Sequence, residues 1–377
     1  MSFQPNYKNM IDVLNNKKPN RLPLYEHIIS PNIMENILDI KFTHFEKSDS
    51  DLDKYFKHYC NFFKEMTYDT VSYEIGIVGN YPNSGAIMGG KPGPIQTWED
   101  FNNFPWDEIP DRFWSIADKK FEALIKNLPS GMKALGGVGN GVFEISEDLV
   151  GFENLCMMMG EEPELFATLM EKIGDIMFKI WKSFLEKYSE HFPICRFGDD
   201  LGFQTNTLIP PYVIREHIIP QYERVIKLVH SYNSKFLLHS CGNIFKVMDD
   251  LININIDGKH SNEDNISPYE KWIELYGNKI GLLGGIDVDI LTQNSADDVY
   301  KIVIKKGKRF RKLANGFALG SGNSIPDYVP PGNYLAMVKA VKYIRQNETW
   351  KILTTNKNEL QLNKPNVINF TISRNKI

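Results

Sequence analysis

The sequence predicts an α/β protein folded as a single (β/α)8 TIM barrel, and the prediction rests on the alternation of two patterns. Short apolar runs end in glycine or polar residues, and a helix-length segment usually follows. Alternating strands and helices favour a parallel sheet, and eight such units close naturally into a barrel. The eight runs are residues 21–27, 69–76, 132–138, 193–200, 235–243, 255–261, 279–287 and 316–323.

The segments between the runs carry apolar residues at the spacing of a helix that buries one face. This spacing predicts helices at 30–38, 152–188, 211–230 and 334–344, the second of them broken near Gly160 and Pro163. Helices of this kind cover the outside of a parallel sheet, so they support the barrel.

Two segments depart from the alternation. Residues 76–110, after the second predicted strand, are rich in glycine and proline and predict an excursion over one mouth of the barrel, for which a hairpin is one form. Loops of this length in a compact domain are often functional. Residues 347–377 are rich in Asn and Lys and predict a polar tail, either a loosely attached hairpin or disordered. The barrel domain is therefore expected to span residues 1–346.

The composition excludes several classes of protein. Apolar residues make up 42% and charged residues 24%, with a net charge of −4, as in ordinary soluble globular proteins. The sequence contains no basic block with interleaved aromatic residues, so nothing in it indicates nucleic-acid binding. No apolar run approaches the roughly 18 residues of a membrane helix. The N-terminus lacks a signal-peptide pattern, so a cytoplasmic location is expected. The four cysteines are too scattered for a disulfide framework.

In a βα barrel the active site forms where the strands end. The ends of the eight runs therefore define one surface, which gathers most of the polar side chains of interest. These are Glu26, His27, Glu74, Asp199, Asp200, His239, Cys241, His260, Glu263, Asp264, Asp287, Ser321 and Asn323.

His239 and Cys241 are the strongest metal candidates. They are two residues apart at the end of a buried strand, so their side chains point to the same side. An imidazole and a thiolate on one side form half of a zinc site. The alternative is a packed cysteine beside a hydrogen-bonded histidine. The third ligand stays open among His260, Glu263, Glu74 and Asp287.

Acidic residues at the tips are candidates for proton handling. Asp199 and Asp200 are adjacent, so only one of them can enter the barrel mouth. The aspartate that enters the mouth would orient substrate or move a proton. The alternative interpretation is that these aspartates cap a helix. Glu74 is costly to bury unpaired, which favours a role in the site. For Glu26 and His27, structural and functional roles are equally supported.

Two further tips are lined by glycine and carry Asp287, Ser321 and Asn323. Glycine allows close backbone approach, and the exposed backbone N–H groups could hold an anionic group. A tight turn between strand and helix is the alternative, and neither tip matches a phosphate-loop or dinucleotide fingerprint.

Four stretches at these tips resemble the uroporphyrinogen decarboxylase (URO-D) superfamily. They are LHSCG at 238–242, GLLGGID at 281–287, GSGNSIP at 320–326 and NYLAM at 333–337. The resemblance covers about residues 7–345 and implies a (β/α)8 barrel. The superfamily includes the decarboxylases of haem synthesis and the zinc-dependent methyltransferases that move methyl groups between corrinoid proteins and thiols such as coenzyme M.

Within the superfamily this chain is more similar to the methyltransferases. The decarboxylases carry arginines after the first strand, where this chain has EHIIS at 26–30, and a histidine at the eighth tip, where it has Ser321. The methyltransferases bind zinc through a His-x-Cys pair, which His239 and Cys241 match. Their third ligand is a cysteine at the eighth tip, where this chain has Ser321. Either His260 or Glu74 replaces that cysteine, or zinc is weakly held or absent.

The resemblance implies an enzyme of methyl transfer that acts with a corrinoid protein or a methylated small molecule. A zinc ion is the expected cofactor, and a corrinoid carried by a partner protein is the expected second one. The implied metal ligands are His239, Cys241 and His260. The catalytic residues predicted from the strand ends are Asp199, Asp200, Glu74 and His27. The implied substrate- or cofactor-binding residues are Glu26, Asp287, Ser321 and Asn323.

Two other functions stay open at this point. One is a metal-free decarboxylase or lyase on a small carboxylate or a porphyrinogen, in which the acids at the mouth transfer protons to a carbanion. The other is a non-catalytic module that binds a tetrapyrrole or a corrinoid, because fold alone does not decide function. A homodimer is also left open.

Overall fold

A parallel sheet forms the centre of the molecule. The computed structural model describes residues 3–362, and side chains are described through residue 348. Within this range the sheet has seven strands in sequential order, each parallel to the next. The strands are β1 (Val71–Gly76), β2 (Ala134–Gly139), β3 (Ile194–Gly198), β4 (Lys235–His239), β5 (Gly258–His260), β6 (Gly281–Ile286) and β7 (Phe317–Ser321).

Helices connect the strands, as parallel pairing requires. None of the described helices is both long and apolar enough to cross a membrane. They are α1 (Lys8–Leu14), α2 (Pro31–Leu38), α3 (Leu52–Glu65), α4 (Trp98–Asn103), α5 (Ile109–Lys126), α6 (Val142–Val150), α7 (Phe152–Glu161), α8 (Pro163–Tyr188), α9 (Pro211–Val213), a π-helical turn (Ile214–Ile218), α10 (Ile219–Ser231), α11 (Met248–Asn253), α12 (Tyr269–Tyr276), α13 (Val288–Gln293), α14 (Ala296–Leu313) and α15 (Pro331–Leu362).

The first apolar run, residues 21–27, was predicted as a strand but forms only an isolated parallel bridge beside β7. The N–H of Tyr25 donates to the carbonyl of Leu319 at 2.9 Å, and the N–H of Leu319 donates to the carbonyl of Pro23 at 3.0 Å. Pro23 has no N–H to continue the ladder. Seven of the eight predicted strands are therefore present as strands, and the first run lies against the edge strand β7.

On its other side the first run meets β1 through a side chain. The hydroxyl of Ser72 donates to the carbonyl of His27 at 2.9 Å. The run therefore has contacts with both the first and the last strand of the sheet, which places Glu26 and His27 beside the ends of the other strands.

The glycine- and proline-rich segment 76–110 contains no strand in the structure. It holds two short 3-10 turns, Ala86–Met88 and Trp106–Glu108, and helix α4, so it is not a hairpin. Its backbone pairs with the end of α6, because Gly93 and Ile95 donate to the carbonyls of Val150 and Leu149 at 3.0 Å each.

At the other end of the chain α15 continues through Leu362, well into the segment predicted as a polar tail. The remainder of that prediction, residues 363–377, lies outside the described residues.

Helix α1 fills the interior of the sheet at its N-terminal end. Met10, Val13 and Leu14 form one buried cluster with single residues from most of the strands: Leu135, Ile194, Leu237, Leu283 and Ala318, together with Tyr25. A single short helix can contact so many strands only if the sheet curves around it. This plug is apolar, so polar side chains on the inner face are left for the C-terminal ends of the strands.

The contact between the first run and β7 is testable with one glycine. A Cβ at Gly320 would lie 1.7 Å from the carbonyl oxygen of Tyr25, whereas a Cβ at Gly332 would meet nothing within 4 Å. We expect Gly320→Ala to lower the free energy of unfolding by about 1–3 kcal/mol through overpacking, measured by urea denaturation. Gly332→Ala, in the first turn of α15, should be neutral or slightly stabilising. Equal stability of the two variants would contradict this packing.

Candidate metal and active site

Two histidines on neighbouring strands form the centre of the site. His239 ends β4 and His260 ends β5, and the parallel register pairs them directly. Nε2 of His260 lies 3.0 Å from the carbonyl oxygen of Ser321, and the Nδ1 atoms of the two rings lie 2.8 Å apart. Because the carbonyl can only accept, Nε2 of His260 carries that ring's proton and its Nδ1 accepts from Nδ1 of His239. Nε2 of His239 is therefore left with a free lone pair.

Burial keeps both rings neutral. It lowers the pKa of His239 and of His260 well below the ordinary value, and the neighbouring histidines lower them further. Neutral imidazole is the form that binds metals. A histidine whose second nitrogen is hydrogen-bonded is also the usual arrangement of a metal ligand.

The lone pair of His239 faces a thiol and a carboxylate. Nε2 lies 3.4 Å from Sγ of Cys241 and 3.9 Å from Oδ1 of Asp200. The candidate ligand atoms of these three residues all lie within 4.8 Å of one another. The N–H of Cys241 donates to Oδ1 of Asp200 at 2.8 Å, which ties the carboxylate to the pair. Imidazole, thiolate and carboxylate are three ligand types that zinc accepts, so this donor set fits a catalytic zinc with an open position.

Asp200 is therefore the third candidate metal ligand, a position for which the sequence had suggested other residues. It was predicted as a catalytic acid, and only a contact with the backbone of a different tip brings it to the metal candidates. His260, predicted as a ligand, has both ring nitrogens in hydrogen bonds and orients His239. His27, His239 and His260 form a second group with ligand atoms within 4.8 Å, but a metal there would have to break that histidine pair.

The sulfur of Cys241 has two further polar neighbours. The hydroxyl of Ser261 and the amide of Asn323 each donate to Sγ at 3.4 Å. Burial raises the pKa of the Cys241 thiol, the charge of Asp200 raises it further, and the hydrogen bond from Ser261 acts in the opposite direction. The thiol is thus protonated by default, and donors are in place to support a thiolate when a metal holds one.

Ser261 is held in an uncommon backbone conformation. Its φ is +95°, and its carbonyl accepts a hydrogen bond from the buried ammonium of Lys259, which lies 4.0 Å from the ring centroid of Trp272. Burial lowers the pKa of Lys259 to about 7. Sequence reasoning missed both residues, although a lysine inside an apolar strand was a usable signal.

Ser321 turns away from the metal candidates. Its N–H donates to Oε1 of Glu26 at 2.9 Å, and its hydroxyl hydrogen-bonds to Oε2 of the same carboxyl. The hydroxyl also donates to the carbonyl of Asn323 at 2.9 Å. Burial raises the pKa of Glu26 to about 8. A protonated carboxyl can donate to the serine oxygen, which satisfies every group in this cluster.

Glu74 and His27 belong to a buried network around Arg196. The guanidinium donates to Glu74 at 2.8 Å, to the phenol of Tyr25 at 2.9 Å and to the hydroxyl of Ser72 at 2.8 Å. Although burial acts to raise the pKa of Glu74, Arg196 and His27 hold it at about 2. Arg196 is another residue that sequence reasoning did not assign to the site.

His27 keeps one nitrogen free. Nε2 lies 3.0 Å from the Glu74 carboxylate and must donate to it, so Nδ1 carries the lone pair. Nδ1 is buried with no hydrogen-bond partner among the described side chains and backbone. Burial, and then the charge of Arg196, lower the pKa of His27. The ring stands edge-on to His239 with centroids 3.9 Å apart.

Two of the predicted site aspartates cap helices. Asp199 accepts the N–H groups of Phe143 and Glu144 at 3.0 and 2.7 Å at the start of α6, and the hydroxyl of Tyr222 also donates to it. Burial raises its pKa to about 7. Asp287 accepts the N–H of Asp289 at 2.7 Å at the start of α13. The helix-capping alternative therefore describes Asp199, whereas Asp200 points toward the metal candidates.

Two further carboxylates crowd the same edge. Burial raises the pKa of Glu144 and Glu147, the latter to about 8, and the charges of Asp199 and Asp200 raise both further. A Cβ at Gly198 would lie 3.8 Å from Glu144, 3.6 Å from His27 and 3.5 Å from His239, so Glu144 borders the histidines. Both glutamates lie on α6 rather than at a strand end, which is why the tips did not reveal them.

The family model for uroporphyrinogen decarboxylase (URO-D) matches residues 8–344. The chain belongs to this family. The URO-D match spans the whole sheet and all the residues described above, in agreement with the resemblance seen at the tips. The comparison with curated proteins returned no match for this URO-D chain.

One solved structure has the same fold, and two others superpose only weakly. A methyltransferase from Methanosarcina mazei superposes with a TM-score of 0.66 at 15% identity, covering 90% of this chain and 99% of that one. Xylanase B from Clostridium stercorarium F9 gives a TM-score of 0.38 at 9% identity over 60% and 83% of the two chains. A xylose isomerase-like TIM barrel protein from Mycobacterium smegmatis gives a TM-score of 0.36 at 9% identity, covering 86% of this chain and 97% of that one. The first comparison shows that this URO-D chain shares the overall fold of that protein.

The adjacent aspartates should respond differently to the same substitution. Asp199 uses both carboxylate oxygens as acceptors, so Asp199→Asn replaces one acceptor with a donor facing another donor. We expect it to cost about 1–2 kcal/mol of unfolding free energy. Asp200→Asn keeps the oxygen that accepts from Cys241 and should cost less than about 0.5 kcal/mol. Thermal and urea unfolding of both variants test this, and the reverse order of costs would contradict it.

Glu26 should make stability depend on pH. Its pKa is raised from 4.5 to about 8 in the folded chain, so the folded state binds the extra proton. Its contribution is fully present below about pH 4.5 and is lost as pH rises toward 8, by at most ~1.4 kcal/mol per pH unit. Glu26→Gln keeps a donor and an acceptor for Ser321 without titrating. We expect the variant to gain stability relative to the wild type across this range, and a constant difference would contradict the raised pKa.

Proposed function

We propose that this chain is a methyltransferase that moves a methyl group between a small molecule and a corrinoid protein, with zinc held by Asp200, His239 and Cys241. The single observation that carries the proposal is the convergence of these three ligand types, all within 4.8 Å, at the open end of the sheet. The similarity of fold to the Methanosarcina mazei methyltransferase supports the reaction class.

The chain prepares this ligand set before any ion binds. The carbonyl of Ser321, through His260, fixes the tautomer that leaves Nε2 of His239 free. The N–H of Cys241 holds the Asp200 carboxylate. When bound, zinc supplies a Lewis acid that keeps a sulfur ligand ionised and activates a group in its open position.

The remaining residues of the site handle charge and protons. Ser261 and Asn323 donate to the sulfur of Cys241 and so stabilise negative charge on it. Nδ1 of His27 has a free lone pair and can accept a proton from a reacting group. The Glu74 carboxylate on the opposite nitrogen would stabilise the resulting imidazolium. In the transfer itself the donor's carbon–heteroatom bond breaks with its electron pair staying on the heteroatom, and the acceptor's pair forms the new bond to carbon.

Exposed side chains at the mouth of the sheet also support the proposal of a protein partner. Three large apolar side chains follow strand ends or the first run and are exposed: Ile28 at 48%, Phe203 at 58% and Tyr328 at 72%. Large contiguous exposed apolar patches mark protein interaction sites, and we expect these side chains to belong to one such surface. A corrinoid protein that presents its cofactor to Cys241 would cover them.

The metal site is tested by zinc content and affinity. We expect the protein loaded with zinc and desalted to retain about one ion per chain, as a catalytic site does. Cys241→Ser and Asp200→Asn should each weaken zinc binding by about 100-fold or more. Cobalt substitution should give a thiolate charge-transfer band that Cys241→Ser removes.

Ser321→Ala is the matched control for this experiment. Its side chain faces Glu26 rather than the ligands, so we expect unchanged zinc affinity. A wild-type protein without zinc, full zinc affinity in Asp200→Asn, or loss of zinc in Ser321→Ala would each overturn this assignment of ligands.

A further inference from the structure

A cavity of about 340 Å³ is lined by residues that follow β5, β6 and β7, and Asn323 separates it from Cys241. The side chain of Asn323 lines the cavity, and its Nδ2 lies 3.4 Å from the sulfur. A molecule in the cavity would therefore lie near the proposed reacting centre.

The wall of the cavity is lined by carboxyl groups and, among the described residues, by no cationic side chain. Glu263, Asp287 and Asp289 line it, and no Lys, Arg or His does so in the part of the chain that the structure describes. Burial raises the pKa of Glu263, the charges of Asp287 and Asp200 raise it further, and the charge of Lys259 acts in the opposite direction. Such a wall attracts cations and disfavours anions.

The carboxylates do not converge on a point. Within residues 3–348 the groups of His, Cys, Asp and Glu close enough to share a metal ion include none of these three acids. Charge spread over a wall suits a bulky organic cation better than a metal ion, which needs several oxygens at one centre.

A buried amide adds an independent sign of a ligand. Asn262 lines the cavity and is only 4% exposed. Its Oδ1 accepts the N–H of Gly285 at 2.8 Å, which fixes the orientation of the amide, but its Nδ2 has no hydrogen-bond partner among the described residues. An unpaired buried donor is costly unless a ligand supplies an acceptor.

At the rim stands the ring of Tyr328, which is 72% exposed. Aromatic faces attract organic ammonium groups. The acidic wall, the amide donor and the aromatic rim together suit a ligand that has a positive group and a hydrogen-bond acceptor.

We propose that this cavity binds the ammonium group of a small organic cation, held by Glu263, Asp287 and Asp289, with an acceptor oxygen for Asn262 and its reacting end toward Cys241. This inference rests on the proposed function only in taking Cys241 as the reacting end. It names the substrate class of that reaction as cationic, in contrast to the polyanionic substrates of haem-pathway decarboxylases.

Calorimetric titration of the full-length protein with choline and with its neutral isostere, 3,3-dimethylbutan-1-ol, tests the proposal. We expect choline to bind about tenfold or more tightly than the alcohol, and more tightly than tetramethylammonium, which lacks the acceptor. Added sodium chloride should weaken choline binding. Glu263→Gln should weaken it about fivefold, whereas Glu274→Gln, an exposed carboxylate on α12 outside the cavity, should not.

Several results would overturn the inference. These are equal binding of choline and the alcohol, binding of neither, unchanged choline affinity in Glu263→Gln, and displacement of choline by stoichiometric calcium, which would indicate a metal site. The titration is repeated with Cys241→Ser. Choline binding by a protein that takes up no zinc would overturn only the proposed metal site, whereas zinc uptake without choline binding would overturn only the cationic substrate.

Discussion

The hydrogen bond between the Nδ1 atoms of His239 and His260 is the interaction on which the arrangement of the site depends. It exists because the carbonyl of Ser321 can only accept, which places the single proton of His260 on Nε2. The proton of His239 must then sit on Nδ1, and its other nitrogen faces Cys241 and Asp200. Three strands contribute one group each, so the orientation of His239 depends on the register of the sheet rather than on any local motif.

The serine at the end of the last strand is hydrogen-bonded to a buried glutamate of the first run. The N–H of Ser321 donates to Glu26, whose pKa is raised to about 8 by burial, and the protonated carboxyl can donate to the serine oxygen. In the proposed zinc site the third ligand is Asp200, which follows β3 and accepts the backbone N–H of Cys241. Imidazole, thiolate and carboxylate together form a donor set that zinc accepts.

Charge divides the interior into two zones. The buried cations are occupied inside the molecule, Arg196 by Glu74 and Lys259 by the carbonyl of Ser261 and the ring of Trp272. The open end of the sheet is left with carboxylates on both sides of Cys241: Glu144, Glu147, Asp200, Glu263 and Asp287.

The sequence by itself determined the alternation of strands and helices, the strand ends that carry chemistry, and the pairing of His239 with Cys241, because these depend on periods of two and about four residues along the chain. Even the statement that one of two adjacent aspartates enters the mouth follows from strand geometry. Only the tertiary structure decided which aspartate that is, since Asp199 is drawn to the N–H groups of α6. It likewise decided the roles of Arg196, Ser261 and Lys259, whose partners come from other strands or an unusual backbone turn. Pro23 shows the reverse case, in which a local property of one residue reduced a predicted strand to a single bridge.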